Sequence, residues 1–107
     1  MADTAARLVG PTQLSASAAT VYTVPASTTT TLLHIIAVNT SSTVSATITL
    51  SIGADAANKR ILDGRTIAAK QNYEWRGYLV MTAAEILQAY SDTASVITLS
   101  ISGVTTV

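Results

Sequence analysis

Val44-Ser45-Ala46-Thr47-Ile48-Thr49-Leu50-Ser51-Ile52 alternates without a break. Val44, Ala46, Ile48, Leu50 and Ile52 fall on one side, and Ser45, Thr47, Thr49 and Ser51 on the other. Successive side chains of an extended chain point to opposite faces, so a period of two predicts a half-buried strand. The pattern recurs. Ile97, Leu99 and Ile101 alternate with Thr98, Ser100 and Ser102. Tyr73, Trp75, Gly77, Leu79 and Met81 alternate with Glu74, Arg76, Tyr78 and Val80.

The rest of the chain reads the same way. Residues 1–6 are small and polar, and residues 1–9 are expected to form a flexible arm in which Arg7-Leu8-Val9 makes a short edge strand closed by Gly10-Pro11. The folded domain is expected over residues 10–107. Residues 12–19 read as a loop, and residues 20–24 as a strand ended by Pro25, since proline cannot donate to a ladder. Residues 30–39 are apolar on both faces, as in a central strand or one covered by a neighbouring subunit. With the strand over 43–52 and the polar cluster Asn39-Thr40-Ser41-Ser42 between them, they read as a hairpin. Residues 53–58 read as a turn. Residues 59–62 and 66–69 predict two short strands separated by Asp63-Gly64. Thr82 and Glu85 have the spacing of a capping box and predict one helical turn. Strands over 86–90 and 95–104 complete the chain. About eight short antiparallel strands, with turns roughly every ten residues, predict an all-β single domain, a β-sandwich or small jelly roll.

Composition narrows the function classes. Charged residues are 11% of the chain, against roughly 25% in an ordinary soluble domain, while hydrophobic residues are 49%. Six basic residues balance six acidic ones, so no net charge keeps copies apart. This favours a protein that works assembled, as a homo-oligomer or on a larger body. The same balance argues against nucleic acid, whose phosphates call for an excess of Lys and Arg. The chain has no cysteine, so disulfides and thiolate metal sites are excluded. No run approaches the ~18 apolar residues of a membrane helix. The N-terminus lacks the apolar region of a signal peptide, and the expectation is synthesis in the cytoplasm.

Catalytic constellations are thin. His34 is the one histidine, with no acidic residue near it in sequence, and it reads as a hydrogen-bonded or interface residue. Asp55, Asp63 and Glu74 lack the dense oxygen ligands of a calcium loop and the cleft of a glycosidase pair. The five glycines are scattered, so there is no phosphate loop. No enzyme, cofactor or metal is expected. Five of the six basic residues, Lys59, Arg60, Arg65, Lys70 and Arg76, lie within 18 residues of one another. They read either as a solvated edge of weak ion pairs or as an electrostatic docking edge. Tyr73, Trp75 and Tyr78 cluster nearby. With no Phe in the chain, Trp75 reads as core, and Tyr73 and Tyr78 as contact residues.

Several stretches carry a resemblance. They are Pro11-Thr12-Gln13-Leu14, Ala18-Ala19-Thr20-Val21-Tyr22-Thr23-Val24-Pro25, His34-Ile35-Ile36-Ala37-Val38-Asn39-Thr40-Ser41-Ser42, Ile86-Leu87-Gln88-Ala89-Tyr90-Ser91 and Ile101-Ser102-Gly103-Val104. Their layout resembles small β-sandwich virion proteins of tailed bacteriophages, in which the late segment often follows a Gly-Asp turn rather than Ala84-Glu85. The resemblance implies a head decoration (cement) protein, or a tail- or fibre-associated one, located on the virion. As a decoration protein it would bind the major capsid protein at symmetry axes, with a trimer favoured. The interface would take Arg7 and Leu8 from the arm, and Lys59, Arg60, Arg65, Lys70, Tyr73, Arg76 and Tyr78 from the middle of the chain. The alternatives are a receptor- or glycan-binding module on the tail, using Tyr73, Tyr78 and the loops around Ser41 and Asp92, and an adaptor at the head–tail junction.

Overall fold

The structure, a computed structural model, describes residues 3–107. Eight strands form in chain order: β1 (Asp3–Gln13), β2 (Ala19–Thr23), β3 (Thr29–Asn39), β4 (Ala46–Ile52), β5 (Arg60–Ile67), β6 (Asn72–Met81), β7 (Ile86–Ser91) and β8 (Ile97–Thr106). A single 3-10 turn, Ala57–Lys59, precedes β5.

The antiparallel pairing is nested. β1 pairs with β8, β2 with β7, β3 with β6 and β4 with β5. Cross-links between β3 and β8 and between β4 and β7 complete two four-stranded sheets, ordered β1-β8-β3-β6 and β2-β7-β4-β5. A chain doubled on itself in this way and rolled into two layers is a jelly roll. The expected all-β sandwich is therefore the fold.

Between the sheets lies the core. One sheet contributes Leu32, Ile35, Ala37, Met81, Ile97, Leu99 and Ile101, and the other Ala46, Ile48, Leu50, Ile67, Leu87 and Ala89, all buried. Each large aliphatic side chain withdrawn from water here stabilises the fold by about 1.5–3 kcal/mol. Tyr22 of β2 reaches across to Thr30 of β3 through a 2.9 Å hydroxyl hydrogen bond, so the buried polar atoms of the gap are satisfied. Gly103 lets β8 and β3 close up, because a Cβ there would collide with the Thr31 carbonyl oxygen.

Several elements differ from expectation. β3 and β4 are not a hairpin: they lie in different sheets. Asn39, fully buried, organises the crossing by donating to the Val44 carbonyl at 2.8 Å and the Ile67 carbonyl at 2.9 Å, while its Oδ1 accepts from Ser41 N at 2.9 Å. Consequently β4 begins only at Ala46, and Val44 is left 45% exposed beyond the strand. The outward Thr49 and Ser51 are also buried. Thr49 Oγ1 accepts from Gly64 N, and Ser51 Oγ donates to the Gly53 carbonyl.

The arm is not loose over its described part. Residues 3–9 pair with β8 from Asp3 opposite Thr106 onward, Leu8 packs on the core and Val9 is buried, while residues 1 and 2 lie outside the described residues. Gly10-Pro11 does not close this strand, because an edge position with a register shift between Val9 and Thr12 tolerates proline. The two short strands around Asp63-Gly64 are one strand, β5, in which Gly64 takes φ +63° where the register against β4 shifts. Thr82 and Glu85 do form reciprocal hydrogen bonds, N–H of Thr82 to Glu85 Oε1 at 2.7 Å and N–H of Glu85 to the Thr82 carbonyl at 3.1 Å, but they close a tight turn and start no helix.

Candidate functional site

β5 and β6 are edge strands of facing sheets, and the sandwich opens between them. At the opposite edge β1 and β2 come together. The open edge holds a cleft of about 250 Å³ lined by Ile61 and Leu62 of β5, Trp75 and Leu79 of β6, and Ile35 of β3 at its floor. Trp75 takes its place because Gly77 has no side chain: a Cβ on Gly77 would stand 2.5 Å from the indole Cζ2. The side chains that line it are all hydrophobic. At the rim the Arg65 guanidinium of β5 stacks over the Tyr73 ring of β6, 4.6 Å from its centroid, a cation–π contact of roughly 0.5–1 kcal/mol at an exposed site.

The basic cluster of the middle of the chain is split by the fold. Arg60 faces outward on the β2-β7-β4-β5 sheet. Its Nε and Nη2 grip the two oxygens of Asp55 at 3.0 and 3.1 Å, Nη1 donates to Asp63 at 2.8 Å, and Nη2 also meets the Tyr90 hydroxyl at 3.3 Å. Asp55 is pinned further by its N–H to Gln88 Oε1 at 3.1 Å. The Arg60 hydrogen bond holds the Asp55 carboxyl below its usual range, and Asp55 and then Asp63 hold Arg60 even further above its own. Arg60 therefore fastens the 53–59 loop to the sheet. Arg65 is exposed and stacks on Tyr73. Lys59 and Lys70 are exposed at the two ends of β5, and Lys70 sits in a turn with φ +63°. Among the described residues, Lys59, Arg65 and Lys70 have no carboxylate within 4.0 Å.

A second cluster occupies the outer face of the β1-β8-β3-β6 sheet. A bulge at Leu33 puts His34 on the side opposite Leu32, so the two do not share a face as the simple alternation implies. His34 Nε2 lies 2.7 Å from Glu74 Oε2, which also accepts from Arg76 Nη2 at 3.3 Å. The acidic partner missing from the neighbouring sequence comes from the next strand. The His34 hydrogen bond, followed by the Arg76 charge, holds the Glu74 carboxyl below its usual range. Register places Arg7, Ser102, His34 and Arg76 in one row across the four strands. The neighbouring row is Ala5, Val104, Thr31 and Val80. Tyr78, 76% exposed, projects from the bulged part of β6.

Arg7 and Leu8 thus lie on β1, about three strand spacings or ~14 Å across the sheet from Arg76 on β6, while Arg60 and Arg65 belong to the facing sheet. Tyr73 and Tyr78 do not form one contact site: Tyr73 packs on the core beneath Arg65, and Tyr78 faces outward five residues further along. The loops around Ser41 and Asp92 do share one pole, where Thr40 N–H meets the Val96 carbonyl and Thr47 N–H meets Asp92 Oδ1. The apolar cleft was not foreseen. Its signal is Trp75 and Gly77 two apart on one strand face, which pairs a large ring with a vacancy. Comparison with family models, with curated proteins and with solved structures gives no match for this chain.

Proposed function

We propose that the protein is a non-enzymatic structural subunit of a tailed-bacteriophage virion, a decoration (cement) protein that docks as a homotrimer on the major capsid protein at symmetry axes and stabilises the head. One observation carries this reading beyond the resemblance of sequence. The outer face of the β1-β8-β3-β6 sheet has Tyr78 and Val80 exposed and Ile36, Val38 and Val104 half-buried on it, and its charges, Arg7, Glu74 and Arg76, are of mixed sign. A neutral chain with such a face suits permanent contact with a neighbour more than a dispersed life in solution. Jelly rolls are also frequent in viral capsid and lectin domains, an association of fold that adds modest support. In a closed ring each subunit would present one side to the next, and multivalency would turn weak single contacts into durable attachment.

The exposure of Tyr78 also favours a second reading, a tail- or fibre-associated sandwich that recognises a receptor or glycan. Immunogold electron microscopy on source particles separates the two. Label over the shell supports the decoration protein. Label at the tail supports adhesion or head–tail assembly, and Tyr78→Ala should then abolish binding on a glycan array. Particles without label sink both readings.

A further inference from the structure

We propose that the β5/β6 edge is a strand-acceptor site, which takes an extended acidic–apolar peptide segment of a partner protein, pairs it with the free edge of β6 and seats one of its large apolar side chains in the Trp75 cleft. Three separate features converge there. First, β6 ends its sheet, so along Asn72–Arg76 the main-chain groups turned away from β3 have no strand beside them. Unpaired edges of this kind are the template for strand addition. The other edge of the same sheet is less receptive, since β1 carries Pro11 and two register shifts. Second, a strand laid against β6 turns every other side chain inward, toward the cleft of about 250 Å³ between Trp75, Leu79, Ile61 and Leu62. That space accommodates a leucine- or phenylalanine-sized group, and the burial is favourable because the side chains that line it are apolar.

Third, charge selects the partner. Arg65 on β5 and Lys70 in the turn from β5 to β6 adjoin this edge, with Lys59 at the far end of β5, and none of the three has a carboxylate within 4.0 Å among the described residues. The acids on the same two strands are already engaged, Asp63 by Arg60 and Glu74 by His34 and Arg76. An incoming segment with acidic residues between its apolar ones meets complementary charge, which sets orientation and excludes basic segments. The inference goes beyond the virion reading: it describes a mode of binding that holds wherever the partner resides.

Trp75 is the sole tryptophan of the chain, so its emission reports on the cleft directly. The probe is a seven-residue peptide of alternating Asp and Leu with blocked ends, titrated into the full chain at low salt. The expected result is a saturable blue shift of Trp75 emission, with affinity about tenfold above that of the same peptide carrying Lys for Asp. Arg65→Glu, a surface change, should erase or reverse that preference while the far-ultraviolet spectrum stays unchanged. A peptide N-methylated along its pairing edge should bind at least about tenfold more weakly, since it cannot complete the ladder. No spectral response up to about 1 mM peptide, equal binding of the methylated form, or a dimer by light scattering that the peptide dissociates would each overturn the proposal. The last outcome would assign the edge to a second copy. Particle labelling bears on the virion reading and leaves these results untouched.

Discussion

Single side chains hold the parts of this fold that alternation alone does not determine. Asn39 is the clearest. Its amide bridges the Val44 and Ile67 carbonyls and the Ser41 N–H at the point where the chain leaves one sheet for the other. Asn39→Ala strands these groups, one of them deep in the core, and should destabilise the protein by about 3 kcal/mol. Urea unfolding with an unchanged m value would measure it, and a loss below about 1 kcal/mol would deny Asn39 this role. Glu74 makes a different prediction. Its carboxyl titrates below its ordinary value of 4.5 in the folded protein, first because of the His34 hydrogen bond and then because of Arg76. The unfolded chain therefore binds the proton more readily. The stabilisation is complete above pH 4.5 and is lost as pH falls through the lower folded-state value. Glu74→Gln should flatten that part of the stability–pH curve. Chemical denaturation at steps from neutral pH down to pH 3 should show wild type and variant converging at the acid end; parallel curves would contradict the coupling.

At the scale of elements, the prediction concerns β1. Deleting residues 1–9 removes the strand that covers the outer edge of β8, together with Leu8 and the buried Val9. Lost burial of two aliphatic side chains amounts to about 3–6 kcal/mol, so the truncated chain should melt far below the intact one in a calorimeter or fail to fold. An unchanged melting temperature would mean the segment is dispensable. Elements also show what was legible. Alternation located nearly every strand because a half-buried sheet imposes a period of two; residues 97–101 obey it cleanly, and in residues 46–52 the residue types alternate although Thr49 and Ser51 are buried as well. Pairing was another matter. Asn39 to Ser42 has the composition of a hairpin turn, and nothing local distinguishes a turn that reverses within a sheet from one that crosses between sheets. Pro11 and Gly64 read as terminators, yet each lies inside an edge strand whose register shifts beside it. As for the site, the sequence marked Tyr73 and the basic residues but could not show that the sandwich opens over Trp75, since the cleft lies between edge strands of two different sheets. The engagement of Arg60 was equally hidden, because its bidentate grip on Asp55 depends on how the 53–59 loop lies on the sheet.

For the whole molecule, nested pairing has a kinetic consequence. Asp3 must find Thr106 and Ala19 must find Ala89 before the outer ladders exist. Contacts of such sequence separation require large loops to close first, which places refolding in the millisecond-to-second range typical of all-β sandwiches. Stopped-flow fluorescence of Trp75 should show it; complete refolding within about 100 microseconds would be incompatible with this topology. The same pairing brings the start of β1 and the end of β8 side by side at one pole. The loops around Ser15, Ser41, Lys70 and Asp92 gather at the other, tied together by bonds such as Lys70 N–H to the Ser41 carbonyl and Ser91 N–H to the Ser15 carbonyl. The domain is therefore a two-ended object with a handle and a tip. A chain grafted just before β1 or just after β8 leaves from the handle, and a short insert after Ser42 would be carried on the tip, some tens of ångströms away along the 47 Å long axis, facing outward as on a display stand.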